Sequence, residues 1–211
     1  ADAPQESQTL PIFGADADGA WLFTEEKLAC MRASAHACAQ ESILRFVRSS
    51  EDDSVGPSPV KKTKLDIDMI TLAEDLILQD YYLQFLLKTS NSTLKLAENV
   101  EATAVAFYKR FFLSYSIMDY HPKEVVLTAM WLACKVEHFP HRFLNQEKVI
   151  LEPNRREFKY DSRAFADFGK VPLDTLLRLE HVMLAAVKFH LMIAHPYRAL
   201  RGFLDEWGRA G

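Results

Sequence analysis

The stretch Ala106–Glu137, AFYKRFFLSYSIMDYHPKEVVLTAMWLACKVE, decides the fold. From Pro122 onward it offers Val125, Val126, Leu127, Ala129, Met130, Trp131, Leu132, Ala133 and Val136. On a helical wheel these positions cover every side, so the spacing predicts a helix enclosed by a bundle rather than laid on its surface. Pro122 suits the first helical position, where a missing N–H costs nothing. Lys135 breaks the apolar surface one residue before its end. A charge set in apolar surface needs a partner, inside the fold or on another molecule.

Upstream, a helix from about Leu96 to Leu113 buries Val100, Ala104, Phe107, Tyr108 and Phe111. Another, from about Leu72 to Lys88, turns Leu78, Tyr81, Tyr82, Phe85 and Leu86 inward. Downstream, His138 to Val171 is long for a structureless loop, so a short helix is expected around Ser162 to Phe168. A last long helix runs from Pro172 to about Phe189 through Leu173, Leu176, Leu177, Val182, Met183, Leu184 and Val187. His190 to His195 reads as extended, since the residue before Pro196 leaves helical space, and Tyr197 to Trp207 forms a final short helix.

At the other end, residues 1–20 read as a flexible arm and 21–48 as an N-terminal helix capped by Thr24, with Phe23 stapled onto Leu28. Its apolar stripe passes through Leu28, Met31, Ala35, Cys38, Leu44 and Val47. Residues 49–66 are linker by composition: acidic, then Gly and Pro, then basic. No run alternates with period two. The expected fold class is all-α.

The 211 residues hold one ordinary domain with length for tails, and 49% apolar with 26% charged residues is a globular profile. A net charge of −4 gives no broad attraction to a phosphate backbone, so no direct nucleic-acid partner is expected. No segment approaches the roughly 18 apolar residues that span a bilayer and no secretory leader is visible, so no membrane partner is expected. Cys30, Cys38 and Cys134 read as buried free thiols of a reducing compartment.

Glu180 mirrors Lys135, standing between Leu176, Leu177 and Leu184 at one-turn spacings. Two opposite charges on apolar helix faces either pair with each other, snorkel to water, or mark a docking face for another chain. His138, His141, His181, His190 and His195 match no zinc spacing, and Asp66 with Asp68 lacks the glycine and glutamate of a calcium loop, so neither metal nor cofactor is expected. No phosphate cradle, nucleophile elbow or catalytic cysteine setting is present, so enzymatic chemistry has no address. Ser58-Pro59-Val60-Lys61 has the form proline-directed kinases prefer, making Ser58 a phosphorylation candidate. Lys61, Lys62 and Lys64 resemble part of a nuclear import signal; both patterns are common in linkers.

Phe107-Tyr108-Lys109-Arg110-Phe111, Tyr120-His121-Pro122 and Leu132-Ala133-Cys134-Lys135-Val136-Glu137 resemble the first cyclin box. Leu179-Glu180-His181, Val187-Lys188-Phe189-His190-Leu191 and His195-Pro196-Tyr197-Arg198 continue it in order. WLFTEEKLACMR, Trp21 to Arg32, is similar to the N-terminal helix of the cyclin H branch of that family. The resemblance covers roughly Leu72 to Leu204 plus this helix. It implies a five-helix bundle around a central third helix, occupying 67–207 with an insertion near 138–171, and no second box within this chain.

By the same resemblance, Lys135 and Glu180 match the pair with which cyclins hold main-chain groups of a kinase, and Val136, Leu184, Phe189 and Leu191 match the apolar surface beneath the kinase's mobile helix. The implied role is non-catalytic: binding and activating a cyclin-dependent kinase. The implied assembly is the nuclear CDK-activating kinase of TFIIH with a RING-finger assembly factor, acting on RNA polymerase II and other kinases' activation segments. Rival readings are a Mediator-type cyclin resembling cyclin C and a TFIIB-like DNA-binding cyclin fold. The substrate-docking motif of cell-cycle cyclins is replaced by Asp80-Tyr81-Tyr82-Leu83-Gln84-Phe85-Leu86-Leu87.

Overall fold

In the computed structural model, which describes residues 21–52, 68–138 and 162–210, every residue from Val125 to Cys134 is buried. Burial on all sides of one helix requires neighbours on all sides. Helix α1 spans Glu25–Asp52, α2 Leu72–Lys88, α3 Glu98–Phe111, α4 Pro122–Val136, α5 Ser162–Gly169, α6 Leu173–Ala186 and α7 Tyr197–Ala210. Helix α4 packs against α2, α3, α5 and α6, making a five-helix bundle with α4 at its centre. The all-α expectation holds: no strand occurs among the described residues.

Local chemistry sets the boundaries. Thr71 caps α2 by accepting from the Glu74 N–H, while the Glu74 carboxylate accepts from the Thr71 N–H at 2.8 Å, a reciprocal capping box. A π turn, Thr89–Leu94, follows α2 and closes on Lys95 in left-handed conformation. Pro122 opens α4 as expected, behind His121, whose ring nitrogen accepts from the Lys123 N–H.

Helix α3 buries Val100, Ala104, Phe107, Tyr108 and Phe111, the face expected for it. Helix α2 does not follow its expectation. Leu86 is buried, but Tyr81 is 64% exposed, and Leu78 and Phe85 also face solvent. What α2 buries instead is Asp75. Its carboxylate accepts from the Ser116 hydroxyl at 2.6 Å and the Gln79 amide at 2.8 Å, and lies 2.9 Å from His36 Nδ1 on α1. This polar cluster, with Ala35 and Ala39 buried beside it, fastens α1 to the bundle.

The remainder of α1 projects from that seam, running on through Asp52 rather than stopping at residue 48. Leu44 and Cys38 are therefore exposed, as is Cys30, against the expectation of burial. Cys134 is buried as expected, and burial pushes its thiol up to about 12. The linker 53–67, the segment 139–161 and the arm 1–20, with Ser58 and His141 among them, lie outside the described residues.

Helix α5, present where a short helix was expected, approaches α4 through Gly169. A Cβ there would stand 2.1 Å from Leu127 Cδ1. Leu127 is buried, so its side chain would have to shift against packed neighbours. Gly169→Ala is therefore expected to cost about 1–3 kcal/mol by overpacking, read as a lower urea midpoint at unchanged m-value. Helix α7 continues to Ala210, with Leu200, Phe203, Leu204 and Trp207 exposed at helical spacing.

Candidate functional site

Lys135 and Trp131 lie one turn apart on α4, so both reach the same neighbour, α6. There Glu180 meets them. One carboxylate oxygen accepts from Lys135 Nζ, and the other accepts from the Trp131 indole N–H at 3.0 Å. Lys135 Nζ also lies 5.4 Å from the Trp131 ring centroid. The Glu180 side chain is 9% exposed, whereas that of Lys135 is 37% exposed. Of the readings open at the level of sequence, mutual pairing is the one realised in the free chain. The lysine still has N–H groups beyond the one given to Glu180, and it opens to solvent.

Glu137, two residues on, faces the other way. It accepts from Asn99 Nδ2 at 2.8 Å and the Thr103 hydroxyl at 2.7 Å, both on α3. His195 Nε2 is 2.7 Å from that hydroxyl and 3.8 Å from Glu137. Burial lowers the His195 pKa, and the Glu137 charge works against that shift. Lys135 thus aims at α6 and Glu137 at α3, so the two charges of this short motif serve different seams.

Helix α6 ends at Ala186, not Phe189. Val187 leaves helical geometry, and Lys188 and Phe189 follow at φ 54° and 58°. Their N–H groups still reach back, Lys188 to Ala185 O at 3.0 Å and Phe189 to Leu184 O at 2.9 Å, so these two carbonyls in the last turn of α6 are satisfied. Two successive left-handed residues, one aromatic, are unusual and costly. The effect is to send Val187 into the core while lifting Phe189 to 69% exposure and leaving Met192 at 86%. Val136, Leu184 and Leu191 are half-buried and pack on the core edge. Leu184 stands one turn beyond Glu180, which puts the apolar row and the ion pair on one side of α6.

A family model described as the cyclin N-terminal domain matches residues 77–192, more than half of the chain. The chain belongs to the cyclin family. Residues 77–192 carry this cyclin from α2 to just past the Phe189 turn. It is 26% identical to Cyclin-H1-1 of Arabidopsis thaliana over 88% of this chain and 52% of the relative. Among solved structures it is similar to a chain of the CAK complex from Chaetomium thermophilum bound to ATP-γ-S, with 29% identity and a TM-score of 0.66. That match covers 88% of this chain and 49% of that one. It is likewise similar to a chain of the yeast TFIIK (Kin28/Ccl1/Tfb3) complex, at 25% identity and a TM-score of 0.58 over 90% of this chain and 61% of that one. This cyclin spans about half the length of the curated relatives it matches.

Two participants escaped the sequence reading. Trp131 belongs to the apolar set of α4, yet its indole N–H donates to the second carboxylate oxygen of Glu180. The available signal was the one-turn spacing to Lys135, because a buried indole requires an acceptor. The other is Arg110, buried on α3, which donates to the His190 carbonyl at 3.1 Å directly behind Phe189.

Proposed function

We propose that this cyclin binds a cyclin-dependent kinase and holds it in its active shape, as the cyclin H-type regulatory subunit of a CDK-activating kinase. The observation that carries the proposal is Phe189, an aromatic side chain 69% exposed on a costly turn that ends the helix bearing Glu180. Large exposed aromatics flanked by half-buried aliphatics mark contact surfaces, and strained backbone persists where function needs it. Similarity to Cyclin-H1-1 and to chains of the CAK and TFIIK complexes supports the same partner class.

The mechanism is a population shift. A kinase whose regulatory helix alternates between outward and inward positions is drawn inward by any surface that binds only the inward one. Val136, Leu184, Phe189 and Leu191 supply that apolar surface, and Lys135 with Glu180 fixes the register by hydrogen bonds to main-chain groups. The kinase's own Lys–Glu ion pair and activation segment then assemble, and the cyclin contributes no catalytic atom. The wider assignment follows: a RING-finger assembly factor as third subunit, work in the nucleus within TFIIH, and phosphorylation of RNA polymerase II and other kinases' activation segments.

The test is co-purification with candidate kinases, followed by Phe189→Ala. Truncation of a central aromatic anchor is expected to weaken binding by about 2 kcal/mol, roughly 30-fold. Thermal stability of the free chain should hold, since the ring is already in water. Unchanged kinase affinity and activation by this variant would remove the proposed surface.

A further inference from the structure

The turn that presents Phe189 is held from a distance of 169 residues. The Trp21 indole N–H donates to His190 Nδ1 at 3.0 Å, and the two rings meet edge to face. An indole nitrogen can only donate, so Nδ1 must accept, which places the neutral imidazole's proton on Nε2. The Arg110 guanidinium lies 4.5 Å from the Trp21 ring centroid and also holds the His190 carbonyl, while Lys188 Nζ lies 5.8 Å from the same ring. The residues on either side of Phe189 therefore both address one N-terminal tryptophan.

This arrangement answers a physical question. Left-handed conformation at Lys188 and Phe189 persists only where the surroundings over-determine it. Carbonyls of α6 fix the near side of the turn, and Trp21 with Arg110 fixes the far side. We infer that Trp21 is a positioning residue for kinase docking: it fixes His190 so that Phe189 stays lifted toward the partner. The segment before α1 then supports the activating surface through the turn it holds. This rests on the docking role of Phe189 proposed above.

The experiment is a double-mutant cycle on the whole chain. Trp21→Phe keeps a ring for Arg110 and Lys188 but deletes the donor, and Trp21→Ala deletes both. Each is measured alone and with Phe189→Ala for kinase affinity, thermal stability and amide exchange at 189–191. Trp21→Phe is expected to weaken binding about 3- to 10-fold, the range of one neutral hydrogen bond, and Trp21→Ala further. In the Phe189→Ala background the loss should shrink to about twofold or less, because the group being positioned is gone. For Trp21→Phe, exchange at 189–191 should rise while global stability holds.

A Trp21→Ala loss of equal size in both backgrounds overturns the inference, since Trp21 would act elsewhere. So does unchanged binding by Trp21→Ala when Phe189→Ala alone weakens it. If Phe189→Ala has no effect, the docking reading falls instead, and exchange at 189–191 alone decides whether Trp21 fixes the turn.

Discussion

Lys135→Met is expected to weaken kinase binding by about 2–5 kcal/mol while lowering the stability of the free chain by less than that. The asymmetry follows from exposure. The methionine keeps the apolar stem along α4 and removes only the ammonium, which is partly in water before the partner arrives. Water can replace it at Glu180 through the opening it leaves. In the proposed complex a kinase would seal that face and exclude water, and the lysine N–H groups not used by Glu180 would be the donors for partner carbonyls.

Pairing within the chain and docking on a partner are thus compatible. A neutralised pair costs less to bury than two lone ions, so meeting beforehand prepares both groups for a dry interface. Glu180→Ala behaves differently. It removes the acceptor that the Trp131 indole N–H and the lysine share, so it should cost both folding and binding. The measurement is kinase affinity beside thermal unfolding for each variant. If Lys135→Met drops the melting temperature steeply and leaves affinity untouched, the pair is only a stabilising device.

The enclosed helix α4 was legible because its apolar residues leave no polar face, and the inner face of α3 was legible because its stripe is single. Helix α2 misled for the opposite reason. It carries apolar residues on two sides, Ile77, Leu78, Tyr81 and Phe85 on one and Leu83 with Leu86 on another, and periodicity does not say which side meets the core. The decision is made by Asp75, whose partners His36, Gln79 and Ser116 are scattered through the chain and share no motif.

The end of α6 was illegible for a related reason. Val187-Lys188-Phe189 continues a helical stripe, and no glycine or asparagine announces the left-handed turn. The contacts that meet it, from Trp21 and Arg110 to His190, come from residues far away in the chain. Lys135 and Glu180 stood out in sequence because each is a lone charge on an apolar face. Their mutual contact and the third partner, Trp131, needed the packing of α4 on α6.

Asp75→Ala is expected to lower the stability of the chain by about 3–5 kcal/mol, the cost of removing one member of a buried charged network. At 1% exposure no water can enter to replace the carboxylate without opening the α1–α2 seam. Three groups lose their acceptor at once: the Ser116 hydroxyl, the Gln79 amide and His36 Nδ1. Asp75→Asn should cost less but remain clearly destabilising, since its amide oxygen can still accept while its NH₂ confronts groups that also donate. His36→Ala separates the two jobs of the cluster. It frees α1 yet leaves Ser116 and Gln79 bonded to Asp75, so amide exchange should rise along α1 while α3 and α4 keep their protection. Urea unfolding reads the first pair of variants, and hydrogen exchange reads the third. A midpoint for Asp75→Ala equal to that of the parent chain would mean the cluster is solvated and contributes nothing to holding α1.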